Sequence, residues 1–238
     1  MKKFIAAGLA LCMAFMLAAC GGSPSSTASQ AGSGTSAAAD GSAVTIKLGG
    51  IGPITGSTAV YGEAVMNGAQ IAVDEINASD SAVKFEYNFQ DDEGDAETAV
   101  NAYNILKDWG MQVLMGTVTT APCLAVISET EADNMFQITP SASSTDVIVP
   151  DNVFQVCFTD PNQGVSAADY IADNGLATKV AAIYDSSDAY SSGIYNAFAA
   201  EAEAKGLEIV CAEAFTADNK TDFRTQLQKA QSAGADLV

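Results

Sequence analysis

The chain of 238 residues carries 29 acidic against 10 basic residues, a net charge of −19 at pH 7, and contains no histidine. Without a basic stripe to neutralise phosphates, this balance argues against a nucleic-acid partner. The missing histidine removes Ser-His-Asp and Cys-His chemistry and most zinc sites, and a single arginine, Arg224, argues against a clamp for polyanions.

The chain opens on Lys2 and Lys3, followed by an almost uninterrupted apolar run over residues 4–17 and the ending Leu17-Ala18-Ala19-Cys20. Such a run of about 14 residues is too short to span a bilayer as a helix but suits a cleaved signal peptide. The ending resembles the bacterial lipobox, which implies cleavage before Cys20 and diacylation (a palmitate-type anchor) of its thiol. Residues 20–43, nearly all Gly, Ser, Ala and Thr, cannot bury enough apolar surface to order themselves and read as a tether. Two or more acyl chains on Cys20 are expected, because one chain alone anchors only marginally. Loss of residues 1–19 removes two lysines and no acid, leaving 29 acids against 8 bases, or −21. This predicts a protein held by lipid at the extracytoplasmic face of a bacterial cell membrane.

From residue 44 onward short apolar runs alternate with segments of helical period. Strands are predicted at 44–51, 83–89, 112–115, 136–139 and 153–158, with helices at 61–77, 96–109 and 121–131. In the first helix Ala64, Val65, Gly68, Ile71, Ala72 and Ile76 mark the predicted inner stripe; in the second, Val100, Tyr103, Leu106 and Trp109. The alternation restarts with a helix at 162–174, a strand at 179–184, a helix at 190–205 ended by Gly206, a strand at 207–212 and a helix at 223–233. A last apolar run begins at 235. The fold class is therefore α/β, with two doubly wound parallel sheets covered by helices, one over 44–160 and one over 161–238. The second has too few strands to close its sheet, so the chain is expected to be part of a longer protein.

Ligands of open parallel sheets gather beyond the carboxyl ends of the strands, where loops lead into helix N-termini that favour anions. Three loops qualify: 52–57, 116–122 and 139–144. The last two are rich in hydroxyls and end neighbouring strands, so together they could hold a carboxylate without formal charge, although Ser and Thr also cap helices. The run Gly52-Pro53-Ile54-Thr55-Gly56 lacks the Gly-Lys-Ser/Thr ending of a phosphate loop. The acids Asp91, Asp92, Glu93, Asp95 and Glu97 do not match a calcium loop and are better placed as helix-start charges, with a secondary ligand role for Asp92 left open. Cys123, Cys157 and Cys211 show no Cys-x-x-Cys spacing and are read as buried free thiols. No metal or cofactor is expected.

The stretch Ile46-Lys47-Leu48-Gly49-Gly50-Ile51-Gly52-Pro53-Ile54-Thr55-Gly56, then Tyr61-Gly62, Asn67-Gly68-Ala69 and Ala72-Val73-Asp74-Glu75-Ile76-Asn77, resembles the opening of leucine/isoleucine/valine-type periplasmic binding proteins. Asp91-Asp92, Ile138-Thr139-Pro140-Ser141-Ala142, Gln163-Gly164 and Ala181-Ala182-Ile183-Tyr184 continue the resemblance in order. The resemblance implies a type I fold of two lobes that close on a ligand, with Thr119, Thr120, Ser141, Ala142 (through its backbone) and Ser143 holding the α-carboxylate and α-ammonium. It also implies that Tyr61 borders the ligand and Tyr190 covers it on closure. Departures are the Ser191-Ser192-Gly193 run after Tyr190, the absence of a family disulfide near the ligand loop, and the second-lobe acid expected to follow Val238. The function implied is that of the solute-binding lipoprotein of an ABC importer, delivering an amino acid (branched-chain foremost) or a small amide to a permease. A ligand-sensing receptor or regulator of the same fold is the alternative, and an enzyme using Asp92 or a cysteine is disfavoured.

Overall fold

The computed structural model describes residues 43–238. The leader, Cys20 and the tether up to residue 42 lie outside the described residues. Five strands form the first sheet: β1 (Val44–Gly52), β2 (Val83–Asp91), β3 (Val113–Met115), β4 (Gln137–Thr139) and β5 (Val153–Gln155). All pair in parallel, in the spatial order β2-β1-β3-β4-β5. Parallel neighbours need crossovers, supplied by α1 (Ala59–Ala78), α2 (Ala96–Trp109) and α3 (Thr120–Asp133). The step from β1 to β2 runs one way and the steps from β2 through β3 to β4 the other. Right-handed crossovers therefore place α1 on one face of the sheet and α2 and α3 on the opposite face.

The core lies between the second face and its helices, where Ile51, Leu114, Ala99, Ala102, Tyr103, Leu106, Met111 and Val126 form one buried cluster. Val100 and Trp109, predicted on the inner stripe of α2, pack only at its margin, because alanines 99 and 102 bring the helix axis close to the sheet and take the centre of the contact. Asp95 caps α2 by accepting from the Thr98 N–H at 2.9 Å, and Gly110 (φ 90°) ends it in the left-handed region.

The predicted inner stripe of α1 is corrected. Gly62 and Val73 are its buried residues, whereas Ile71 is 60% exposed and Ala64, Gly68 and Ala72 also face outward. The rotation follows from close backbone contact: a Cβ on Gly62 would lie 1.8 Å from the Pro53 carbonyl oxygen, so this side alone lets the helix seat against the loop after β1.

Beyond β5 the chain enters α4 (Asp160–Asp173), β6 (Lys179–Asp185), α5 (Ala189–Lys205), β7 (Glu208–Phe215) and α6 (Arg224–Ser232). β6 and β7 pair in parallel, and Val180 forms a further parallel bridge to Leu237, so the apolar run at the end of the chain lies along β6. Gly206 (φ 75°) terminates α5 as predicted. Helices α4 and α5 meet backbone to backbone at Gly164, where a Cβ would lie 2.4 Å from the Ile194 carbonyl oxygen. The strand predicted to run to Phe158 ends at Gln155: Val156 keeps one main-chain bond to the Thr139 carbonyl at 3.1 Å, and Val156 and Phe158 are 69% and 63% exposed. The three cysteines among the described residues are free; Cys123 is buried, but Cys157 and Cys211 are half-buried, short of the predicted burial. Among the described residues no helix is long and apolar enough to cross a membrane.

Candidate functional site

Strand order reverses between β1 and β3, so the loops leaving their carboxyl ends diverge onto opposite faces and leave a crevice at that edge. All three predicted loops sit there. Asp91, the last residue of β2, fastens the first of them. Its Oδ1 accepts from the Ile54 and Glu93 N–H groups, both at 2.9 Å, and its Oδ2 accepts from the Thr55 hydroxyl at 2.6 Å. Burial works to raise the Asp91 carboxyl, but the donors from Thr55, Ile54 and Glu93 outweigh it and hold it below the usual range. Read as a helix-start charge, Asp91 is therefore a loop fastener. The visible signal was an acid at a strand end opposite a Pro-Ile-Thr-Gly turn.

The loops after β3 and β4 are stitched together by hydroxyls and one buried amide. Gln137, fully buried on β4, donates through Nε2 to the Gly116 carbonyl at 2.8 Å, and its Oε1 accepts from the Thr130 hydroxyl at 2.7 Å. The Thr139 hydroxyl donates to the Thr117 carbonyl at 2.7 Å and accepts from the Ala142 N–H at 3.0 Å. The Ser141 hydroxyl donates to the Val118 carbonyl at 2.5 Å, and the Ser143 N–H donates to Thr120 Oγ1 at 3.3 Å. The bonds from Gln137 Nε2, the Thr139 and Ser141 hydroxyls and the Ser143 N–H tie β4 and its loop to the loop after β3 and the start of α3, so the two form one rigid wall whose polar groups are almost all satisfied. Gln137 is the buried member that a reading of the loops alone missed, whereas Thr139 opens the third predicted loop. A polar residue in a three-residue buried strand was the only trace of Gln137.

The structure brings Thr119, Thr120, Ser141, Ala142 and Ser143 together. Thr120 and Ser143 are both 4% exposed and Ala142 is fully buried. Thr120 and Ser141 hold the wall, and both backbone polar groups of Ala142 are engaged, its carbonyl accepting from Gln155 Nε2 at 2.6 Å. Ala142 therefore shapes the loop and presents no free backbone donor, unlike the backbone contact expected of it. Thr119 begins α3 without capping it, and its buried Oγ1 has no hydrogen-bond partner. The free N–H groups of that first turn favour an anion. Tyr61, near the start of α1, is 61% exposed, and Tyr190, in the first turn of α5, is 39% exposed.

Asp92 follows Asp91 at the same edge and is fully buried; its Oδ1 accepts from the Gly94 N–H at 2.9 Å, while Oδ2 has no partner. Burial, reinforced by Asp91 and Asp95, pushes its carboxyl up to about 6. An acid whose folded value lies above its unfolded one holds an extra proton in the folded state between the two. Its contribution to stability is therefore present below about pH 4 and lost as pH rises to about 6. Asp92→Asn is expected not to show that fall, so the wild type should lose on the order of 2 kcal/mol of unfolding free energy relative to the variant as pH rises from about 4 to about 6. Urea melts of both proteins across this pH range check it, and parallel curves would refute it.

A profile of the periplasmic binding protein family matches residues 45–238. A Leu/Ile/Val-binding protein homologue of Brucella melitensis is 34% identical over 197 residues, covering 81% of this chain and 53% of the relative. The leucine-binding protein LivK of Thermotoga maritima superposes with a TM-score of 0.74 at 27% identity, over 81% of this chain and 55% of that one. LivJ of Streptococcus pneumoniae, solved in complex with isoleucine, does so with a TM-score of 0.72 at 30% identity, over 79% and 54%. The chain thus spans about half the length of the relatives it matches. With the order of its strands, the loops at its switch point and this match across almost every described residue in agreement, the chain belongs to the periplasmic binding protein family.

Proposed function

We propose that the protein is the solute-binding component of an ABC importer and takes an amino acid, branched-chain foremost, or a related small amide between a lobe at 44–160 and a second lobe beginning at 161. The observation that carries this reading is the wall made by the loops after β3 and β4, which presents hydroxyls and a helix N-terminus and no basic side chain. Such an edge suits the carboxylate of a zwitterion, which brings its own positive charge. The first turn of α3 with Thr119 and Thr120 receives the carboxylate; Ser141 and Ser143, in the loop shaped by Ala142, face the ammonium. Tyr61 and Tyr190 line the apolar side chain, and Tyr190 moves in as the lobes close. The ligand must bind the closed form more tightly than the open one for closure to signal a permease. Lipid on Cys20 keeps the protein at the extracytoplasmic membrane face. The Leu/Ile/Val names of the relatives support the ligand class.

Calorimetry on the full-length protein against a panel of amino acids and small amides tests this. Saturable binding of a branched-chain amino acid is expected, weakened by about tenfold or more in Thr119→Ala. No heat from any member of the panel would sink the assignment.

A further inference from the structure

Asp160 begins α4, where the chain passes from the first sheet to the second, and it is 1% exposed. Its main-chain N–H donates to the Ser143 carbonyl at 2.9 Å. On the other side, a Cβ built on Gly193 of α5 would lie 3.3 Å from both Cβ and Oδ2 of Asp160. The side chain therefore occupies the space between the Ser143 loop and the first half of the helix that carries Tyr190. Neither carboxylate oxygen is in hydrogen-bond geometry with a protein donor, and no ion pair among the described residues reaches it. The groups facing it are the Ser143 hydroxyl, Asp188 at the start of α5 and the Cys157 thiol on the connecting segment, none of them a cation. Burial raises the carboxyl, the Ser143 hydroxyl pulls it down, and the Asp188 charge adds to the rise.

A buried carboxylate without a partner destabilises a fold. An amide of the same shape would relieve both the desolvation and the repulsion from Asp188, so packing alone does not account for an aspartate here. We propose that Asp160 is a positioning residue for ligand binding, its carboxylate coupling the Ser143 loop to the start of α5 in the closed, ligand-bound arrangement. This rests on the amino-acid reading above. An ionised carboxylate only accepts hydrogen bonds. When closure brings Ser143 into geometry, Asp160 accepts its O–H, which leaves the lone pairs of the Ser143 oxygen free to accept from a cationic N–H group of the ligand. Asn in its place can donate through its amide and leaves the Ser143 hydroxyl free to reorient.

The test is L-leucine calorimetry and thermal melting of the full-length wild type, Asp160→Asn and Gly193→Ala. Asp160→Asn is expected to bind L-leucine at least about tenfold more weakly while melting at the same or a higher temperature. Wild-type affinity is expected to weaken as pH falls through the raised titration of Asp160, and the Asn variant not to follow it. Asp92 is present in both proteins, so their difference isolates Asp160. Gly193→Ala, which presses on the carboxylate from α5, should weaken binding severalfold and gives a second handle should the first variant fold poorly. Binding by Asp160→Asn within about twofold of wild type, or equal losses of affinity and melting temperature, overturns the proposal. A wild type that binds L-leucine while the variants match it isolates that failure to Asp160. A wild type that binds no amino acid overturns the underlying reading and the proposal with it.

Discussion

Tyr103→Ala is expected to lower the unfolding free energy by about 3–5 kcal/mol, the range for removing a large aromatic from a packed core. Tyr103 is the largest fully buried side chain and sits among Leu106, Leu114, Ile51 and Val126, between α2 and the sheet. Backbone and side chains surround it on all sides, so little of the cavity can collapse. Its hydroxyl donates to Asp133 Oδ2 at 2.8 Å, and the same carboxylate pairs with Lys107, so α2 and α3 are also joined through it. Tyr103→Phe separates the two contributions: it keeps the ring, leaves Asp133 its lysine, and should cost about 1 kcal/mol. In urea melts the midpoint of the Ala variant should drop with an unchanged slope, because the surface exposed on unfolding is the same. A loss below about 1 kcal/mol for the Ala variant would place the core elsewhere.

Two glycines of one helix should respond to the same substitution with opposite signs. On helix propensity alone, Gly→Ala inside α1 gains up to about 1 kcal/mol. Gly68→Ala should realise that gain, since nothing lies within 4 Å of the added Cβ. Gly62→Ala should lose about 3 kcal/mol or more, because its Cβ would meet the Pro53 carbonyl oxygen at 1.8 Å and carbon at 2.5 Å. Those atoms are backbone and cannot swing aside, so either α1 lifts from the sheet or the loop after β1 moves. That loop is held from the other side by Asp91, so Gly62→Ala should also weaken ligand binding, whereas Gly68→Ala should not. Paired melts and leucine calorimetry on the two variants check both statements. A stabilised Gly62→Ala would remove the close contact from this description of the fold.

The contrast between these glycines shows how far local sequence reaches. Both stand at helical positions four or more residues from a cap, and nothing in their neighbours separates them. What separates them is Pro53, brought against one and not the other by the crossover from β1 to β2. For the same reason the inner stripe of α1 was placed one face too far round: apolar period is a weak guide when glycine and alanine form the contact, since hydropathy does not register a close backbone approach. In α2 the period held because Tyr103 and Leu106 are bulky, and only the centre of the stripe shifted toward Ala99 and Ala102.

Alternation of short apolar runs with helical segments determined the parallel sheet, because strands buried on both faces and crossover helices have different periods over different lengths. It also placed the three candidate loops, since each ends a strand whose position the apolar run marks. Gly206 marked a helix end because the left-handed conformation there depends on a single residue. The tertiary structure alone decided which polar groups are free. Ser141, Thr139, Thr120 and Gln137 look equivalent to ligand contacts in a list of hydroxyls and amides, yet their bonds run between loops more than twenty residues apart or across neighbouring strands. It alone showed that Asp91 is fastened by three donors while Asp92, its neighbour, is buried with an oxygen unmatched, and that Asp160 lies without a partner between two helices and a loop. Burial and hydrogen bonding depend on what the rest of the chain brings alongside, and carboxylates of identical chemistry therefore diverge only once the fold has formed.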